Sequence, residues 1–299
     1  MAGTRQILQR RSAAQNISKV THTMETISSV RYRQYYRMWL EGLEYFNAMA
    51  QLSYIIASAH PPILHPLLHT NPSSRHAIFV TGSNRGLCGS YNSNVCRMLD
   101  VHLKMAARFK RPLKIYVHGK RIVSFLNQRG IKPERVLDQF DEVPKPEQVA
   151  EIADEMTQDF LKGNIGRLGF VYTRFFSPAS QQAQTLTILP MLDLIDDLTT
   201  RATVIWPWEM VFDDFLLSPS ADDIFDGLSS LMIRTAVAGC FIEAATSEHL
   251  SRVTAMRNAT DNADEMIEDL TREYNRARQS QITNEMLDII GGVQASARK

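Results

Sequence analysis

Three places in the chain hold residue types that could do chemistry. The first is Gly82-Ser-Asn-Arg-Gly86-Leu-Cys-Gly89, which follows an apolar run and precedes a helical pattern. A glycine-rich turn between strand and helix is where backbone N–H groups hold phosphates in dinucleotide-binding domains. Here the spacing is not G-x-G-x-x-G, no Lys-Ser/Thr follows, and no acidic residue closes the next strand to hold a ribose. The turn therefore reads as close backbone packing, with Arg85 projecting as a contact residue. The second is Cys88, beside Arg85 and near a helix start, the setting of a reactive thiol; a buried, passive thiol is the competing reading. The third is the trio His60, His65 and His69 in a proline-rich stretch. With no Cys or acid nearby to complete a zinc geometry, it reads as a solvated loop. No Ser/His/Asp or paired-carboxylate arrangement can be assembled from the spacing, so the sequence predicts neither a catalytic centre nor a bound cofactor or metal.

The elements that position these residues follow from punctuation. The 299 residues are 44% hydrophobic and 22% charged, with net charge +1, which does not suit the chain as a whole to nucleic acid or an anionic membrane. No uninterrupted apolar run of bilayer length occurs, so no transmembrane segment is expected. The three cysteines lack C-x-x-C spacing, which fits a reducing compartment. All 12 prolines lie between Pro61 and Pro219. Proline breaks helix interiors, so two proline-free ends predict two long helices around a compact middle. The expected division is 1–60, 61–219 and 220–299.

The N-terminal stretch repeats Ala14, Ile17, Thr21, Met24 and Ile27 at steps of three or four, predicting a helix face. Residues 1–40 carry Arg5, Arg10, Arg11, Lys19, Arg31, Arg33 and Arg37 against a single acid, Glu25. Some 50 residues of helix would reach roughly 75 Å. The C-terminal seam runs Ala263, Ile267, Leu270, Tyr274, Ala277, in heptad steps, and continues less cleanly through Ile282, Met286, Ile289 and Val293. Glu268 and Arg272 are spaced as an i,i+4 pair. Ser220 is placed to cap the helix start, and Gly291-Gly292 marks a fraying point. Residues 261–290 hold eight acids and three bases. One basic and one acidic helix, each with a seam, predict an antiparallel coiled coil. The alternative is that each packs on the middle domain alone, but a domain of that size has little surface to cover both.

In the middle, strands are expected at His76–Gly82, Leu113–Gly119, Arg167–Ser177 and Ala183–Met191, the last two as a hairpin. Helices are expected at Asn92–Phe109, Lys120–Gln128 and Pro146–Leu161. Strands alternating with helices predict a parallel α/β sheet. The fold class is thus a Rossmann-like α/β domain inserted into a long antiparallel coiled coil of N- and C-terminal helices.

Ser247–Ala263 (S-E-H-L-S-R-V-T-A-M-R-N-A-T-D-N-A) and Tyr274–Glu285 (Y-N-R-A-R-Q-S-Q-I-T-N-E) closely resemble the gamma subunit of F-type ATP synthases. Lys19–Glu25 (K-V-T-H-T-M-E) and Asn84–Gly89 (N-R-G-L-C-G) resemble further signatures of that family, in the same order. The resemblance implies a non-catalytic rotor in the F1 sector. Its paired helices enter the ring of alternating alpha and beta subunits, and its α/β domain forms a foot near the c ring, with an epsilon-type partner. Catalysis would sit on beta. The resemblance places Lys19, Met24 and Glu25 toward a beta acidic loop, Arg85 and Cys88 near the beta lever, and Arg252, Gln279, Thr283 and Glu285 on a beta loop. It also implies a peripheral location on the cytoplasmic face of a prokaryotic energy-transducing membrane. The Arg-rich, acid-free first 24 residues are transit-like, but the family's helix starts almost at Met1, so no leader is expected.

Several positions depart from the family pattern. Asn84 replaces an acid, Ser90 a glycine, His22-Thr23 a Lys-Ala, and Phe215–Pro219 a tyrosine-rich segment. These departures imply a divergent, alternative branch. Two other function classes compete: a nucleotide-dependent α/β enzyme with helical arms, and a coiled-coil adaptor whose basic face meets nucleic acid or acidic protein. The acidic C-terminal helix weighs against the adaptor.

Overall fold

The structure, a computed structural model, describes residues 2–57, 64–201, 218 and 220–296. His60 and, Ser218 apart, the Phe215–Pro219 departure lie outside the described residues, as does the side chain of Val293.

Helix α1 spans Ala2–Ala57 and helix α6 spans Ala221–Ser296. Ser220 caps α6 as its sequence position predicts: Asp223 N–H donates to Ser220 Oγ at 3.1 Å. The fraying point at Gly291-Gly292 is not observed, because the helix continues through both glycines to Ser296. By length and mean hydropathy, 1.4 over its most apolar window, α6 also qualifies as long and apolar enough to cross a membrane. Half of that window is buried in the fold, so packing accounts for its apolarity.

The chain divides into two compact units, residues 1–28 with 252–299, and residues 29–251; both long helices run through both. In the second unit a five-stranded sheet comprises β1 (His76–Thr81), β2 (Leu113–His118), β3 (Arg135–Leu137), β4 (Arg167–Ser177) and β5 (Ser180–Leu189). The order is β3-β2-β1-β4-β5, parallel except for the β4–β5 hairpin. The helices are α2 (Tyr91–Arg108), α3 (Lys120–Gln128), α4 (Pro146–Leu161) and α5 (Met191–Arg201). The predicted elements are present to within a few residues. The short edge strand β3 and helix α5 were not expected.

Alternation along the strands sends side chains to two faces. Ile78, Val80, Ile115, Val117 and Val171 pack with Val95 and Leu99 of α2 and Ile122 and Leu126 of α3. Phe79, Phe170 and Tyr172 pack on the other face with α4 and with Met232, Val237 and Phe241 of α6. There Phe79 stacks on Phe170 at 4.6 Å, and Phe241 meets both edge-on.

Candidate functional site

In the first unit the two long helices pair antiparallel. The inward positions of α1 are Thr4, Ile7, Arg11, Ala14, Ser18, Thr21, Glu25 and Ser28, at steps of three and four. Those of α6 are Met256, Thr260, Ala263, Ile267, Leu270, Tyr274, Ala277 and Gln281. Both are heptad seams. Thr4 donates to Gln281 Oε1 at 3.4 Å, the Arg11 guanidinium lies 5.6 Å from the Tyr274 ring centre, and Ser18 donates to Asp264 at 2.7 Å. The Thr21 and Thr260 hydroxyls are 2.7 Å apart, and Arg257 donates to Glu25 at 2.9 Å.

The seam of α6 is the predicted one through Ala277. Beyond it Gln281 turns inward while Ile282, Met286 and Ile289 face out, so the predicted continuation does not hold. On α1 the period is right and the phase is not. Ala14 and Thr21 are inward, but Ile17 and Ile27 are more than half exposed, and Met24 is 37% exposed. Apart from Ile7, the α1 side of the true seam uses small and polar residues. The apolar side chains line an adjacent outward stripe, Ile17, Val20, Met24 and Ile27, at steps of three and four. Arg272 donates to Asp269 rather than pairing with Glu268. Nor do the α1 cations neutralise the α6 acids: among the described residues the ion pair between the two helices runs the other way, from Arg257 to Glu25. The outward surface of α1 is therefore apolar and basic together.

The glycine loop, in the second unit, packs closely against the end of β2. Gly82 N–H donates to the His118 carbonyl at 2.9 Å, and a Cβ on Gly82 would overlap Ile122. Gly119 has φ +101°, and a Cβ there would overlap the Gly82 carbonyl oxygen. Asn92 holds both ends of Ser83, accepting from its N–H at 3.0 Å and donating to its hydroxyl at 2.7 Å. The glycines serve close approach, as the sequence suggests. Asn84, where the family pattern has an acid, donates to the Asp141 carbonyl at 2.7 Å.

Residues 3–295 match the family described as ATP synthase. A protein named ATP synthase gamma chain from Rhodopirellula baltica is 35% identical over 296 residues, covering 99% of each chain. The chain belongs to the ATP synthase gamma-chain family. Another gamma chain, from Cutibacterium acnes, is 32% identical over 98% of this chain and 96% of its own length. Among solved structures, a chain in the rotor of Euglena gracilis mitochondrial ATP synthase superimposes with TM-score 0.64 at 18% identity, covering 94% of this chain and 99% of the other, which shows a shared fold.

In this gamma-family chain the residues singled out from sequence fall into two settings. Lys19, Met24, Arg85, Gln279, Thr283 and Glu285 are exposed. Arg85 lies 3.7 Å from Asp141, the Thr283 hydroxyl donates to the Gln279 carbonyl, and Glu285 accepts from Gln281. Glu25, Cys88 and Arg252 face inward: Glu25 is held by Arg257, Cys88 is buried beside Ser83 and Asn92, and Arg252 is buried. Of the histidines, His65 lies 3.4 Å from Asp226 in the early turns of α6 and stands edge-on to Phe225.

Sequence reasoning missed a buried polar cluster in the second unit. Tyr35 of α1 donates to Glu142 Oε2 at 2.5 Å, and His249 of α6 lies 3.0 Å from Glu142 Oε1. The Tyr35 and His249 rings stack at 5.6 Å. Burial alone would raise the Glu142 pKa. Hydrogen bonds from His249 and Tyr35, with the charges of His249 and Arg31, outweigh it and hold the carboxyl at about 2. No local pattern announces a contact between residues so far apart in sequence. The nearest signal was a lone His inside the S-E-H run.

Proposed function

We propose that this chain is the central-stalk rotor subunit of an F-type ATP synthase or ATPase, without catalytic residues of its own. Residues 1–60 and 220–299 form the shaft, and residues 61–219 form the stalk and foot. The observation that carries the reading is the inverted character of α1. Its seam toward α6 is mostly small and polar, while Ile17, Val20, Met24 and Ile27 stand outward among cations such as Lys19 that, among the described residues, form no ion pair with α6. A monomeric protein gains nothing from exposing that stripe. It suits a surrounding ring of partner subunits presenting apolar and acidic loops.

In this role Lys19, Met24, Arg85, Gln279, Thr283 and Glu285 meet the alpha/beta ring, and Glu25, Cys88 and Arg252 support them from inside. Each exposed ion pair with such a partner contributes about 1 kcal/mol or less, which suits contacts that break and reform on rotation. The foot faces the c ring and an epsilon-type subunit, peripheral on the cytoplasmic face of a prokaryotic membrane. Ion flow turns the ring and shaft, and the beta subunits make or hydrolyse ATP.

The test is removal of residues 270–299 in the assembled complex. Loss of ion-coupled ATP turnover, or of copurification with alpha and beta, is expected. Coupled turnover at the full-length rate would overturn the rotor reading.

A further inference from the structure

A second surface feature of the second unit lies away from the glycine loop. Under the C-terminal end of α2, where β1, β2 and β4 begin, the second unit holds a cavity of about 310 Å³. That volume is within the range of small-molecule sites. Its polar lining is His76, His102, Arg111, Arg167, Thr185 and Thr187, with no carboxylate among the lining residues. Sheet register places these groups together. His76, Leu113 and Arg167 share the first rung of the parallel sheet, and Thr187 pairs with Gly169 on the neighbouring strand. Gly169 sends no side chain into the space, and Ile78, Met105, Phe109 and Leu113 supply apolar walls.

We propose that this cavity binds a phosphate group, presented by a lipid headgroup or as a soluble phosphate.

Electrostatics favours an anion. Arg167 is paired with Asp193, outside the lining. Among the described residues no carboxylate pairs with Arg111, whose guanidinium lies 5.9 Å from the Phe109 ring centre. Burial, then the charges of Arg111, Arg167 and His102, push the His76 imidazole below its ordinary pKa, as expected in a positive potential. The negative end of the α2 dipole opposes an anion. Its last carbonyls are occupied, however: Met105, Ala106 and Ala107 accept from Phe109, Arg111 and Lys110 N–H. The Thr185 hydroxyl is engaged by His102 Nε2 at 2.7 Å, which leaves the Arg111 guanidinium fork and the Thr187 hydroxyl as groups of the kind that recognise phosphate oxygens. Ligands of doubly wound domains gather at the carboxyl ends of the strands. This cavity is at the opposite end, so it is distinct from the glycine loop. The inference does not depend on the rotor reading.

The test uses the full chain with two probes: inorganic phosphate by calorimetry, and phosphatidylcholine vesicles with or without phosphatidylglycerol by cosedimentation. Arg111→Gln is compared with Lys110→Gln, which removes the same charge from a residue outside the lining. Binding of at least one probe is expected, falling about tenfold or more in Arg111→Gln and changing less than about twofold in Lys110→Gln. A calorimetric response identifies a soluble phosphate site; binding confined to the phosphatidylglycerol vesicles identifies a headgroup site. Should Arg111→Gln fail to fold, the near-isosteric Thr187→Val takes its place, with an expected loss of about threefold or more. No binding of either probe by the natural chain, or equal losses in the lining variant and Lys110→Gln, would overturn the proposal.

Discussion

Thr21 of α1 and Thr260 of α6 face each other across the helix pair with hydroxyl oxygens 2.7 Å apart. Two hydroxyls at a seam position leave little apolar surface to bury. On α1 the inward positions are mostly small or polar, and Ile17, Val20, Met24 and Ile27 are left exposed, while α6 contributes Met256, Ile267 and Leu270 to the seam.

The phase of the α1 seam is testable directly. Ala14→Phe places a ring in a buried position and should cost about 1–3 kcal/mol through overpacking. Amide hydrogen exchange over residues 4–28 should accelerate accordingly. Ile17→Ser changes an exposed residue and should alter stability by about 0.5 kcal/mol or less. The reverse ranking would mean that the apolar stripe, rather than the small one, faces α6.

The Glu142 cluster predicts an acid-sensitive contribution to stability. The carboxyl is held at about 2 in the folded chain against an ordinary value of 4.5. Its contribution is therefore complete above about pH 4.5 and is lost as pH falls toward 2. Glu142→Gln should cost about 1–3 kcal/mol at neutral pH and should flatten the stability profile across that acid window. Urea unfolding of both chains at several pH values measures this. Identical profiles would show that the carboxylate does not hold the cluster.

Glycines give opposite expectations according to their surroundings. At Gly119 a Cβ would meet the Gly82 backbone from a left-handed conformation, so Gly119→Ala should destabilise by about 2–4 kcal/mol. Gly42 and Gly239 lie inside α1 and α6 beside a cavity of about 500 Å³, and nothing stands within 4 Å of a Cβ at either. Gly42→Ala and Gly239→Ala should each stabilise by about 0.5–1 kcal/mol, from helix propensity and unfolded-state entropy. Thermal unfolding of the three variants separates the cases.

Thiol accessibility provides a fourth check. Cys88 and Cys240 are buried, and Cys96 is half-buried with its pKa raised by burial. A thiol reagent should modify Cys96 slowly in the folded chain and the other two only on unfolding. Fast labelling of Cys88 would show that the glycine loop opens.

Much of this was legible from local pattern. Proline placement marked the two long helices, and strands such as His76–Thr81 and Leu113–His118 announced themselves as apolar runs ended by glycine. The α6 seam was readable because its inward residues, Ala263, Ile267 and Leu270, are also its apolar ones. On α1 that coincidence fails: the apolar residues follow one face and burial follows the adjacent one, so hydrophobic phase pointed away from α6. The strand β3 is too short to leave a period. Helix α5 was hidden because its first residue, Met191, was absorbed into the preceding apolar run, although Met191, Leu194, Ile195 and Leu198 carry helical spacing. The cluster of Tyr35, Glu142 and His249 and the cavity under α2 depend on contacts distant in sequence, which no window along the chain contains.

The carboxylate of Glu142 grips one residue from each long helix, Tyr35 and His249, at a shared point in the second unit. A lengthwise slip or an axial turn of either helix at that point would break a contact to a carboxylate that is largely withdrawn from solvent. The two helices are thus cross-linked through a single side chain that belongs to neither of them.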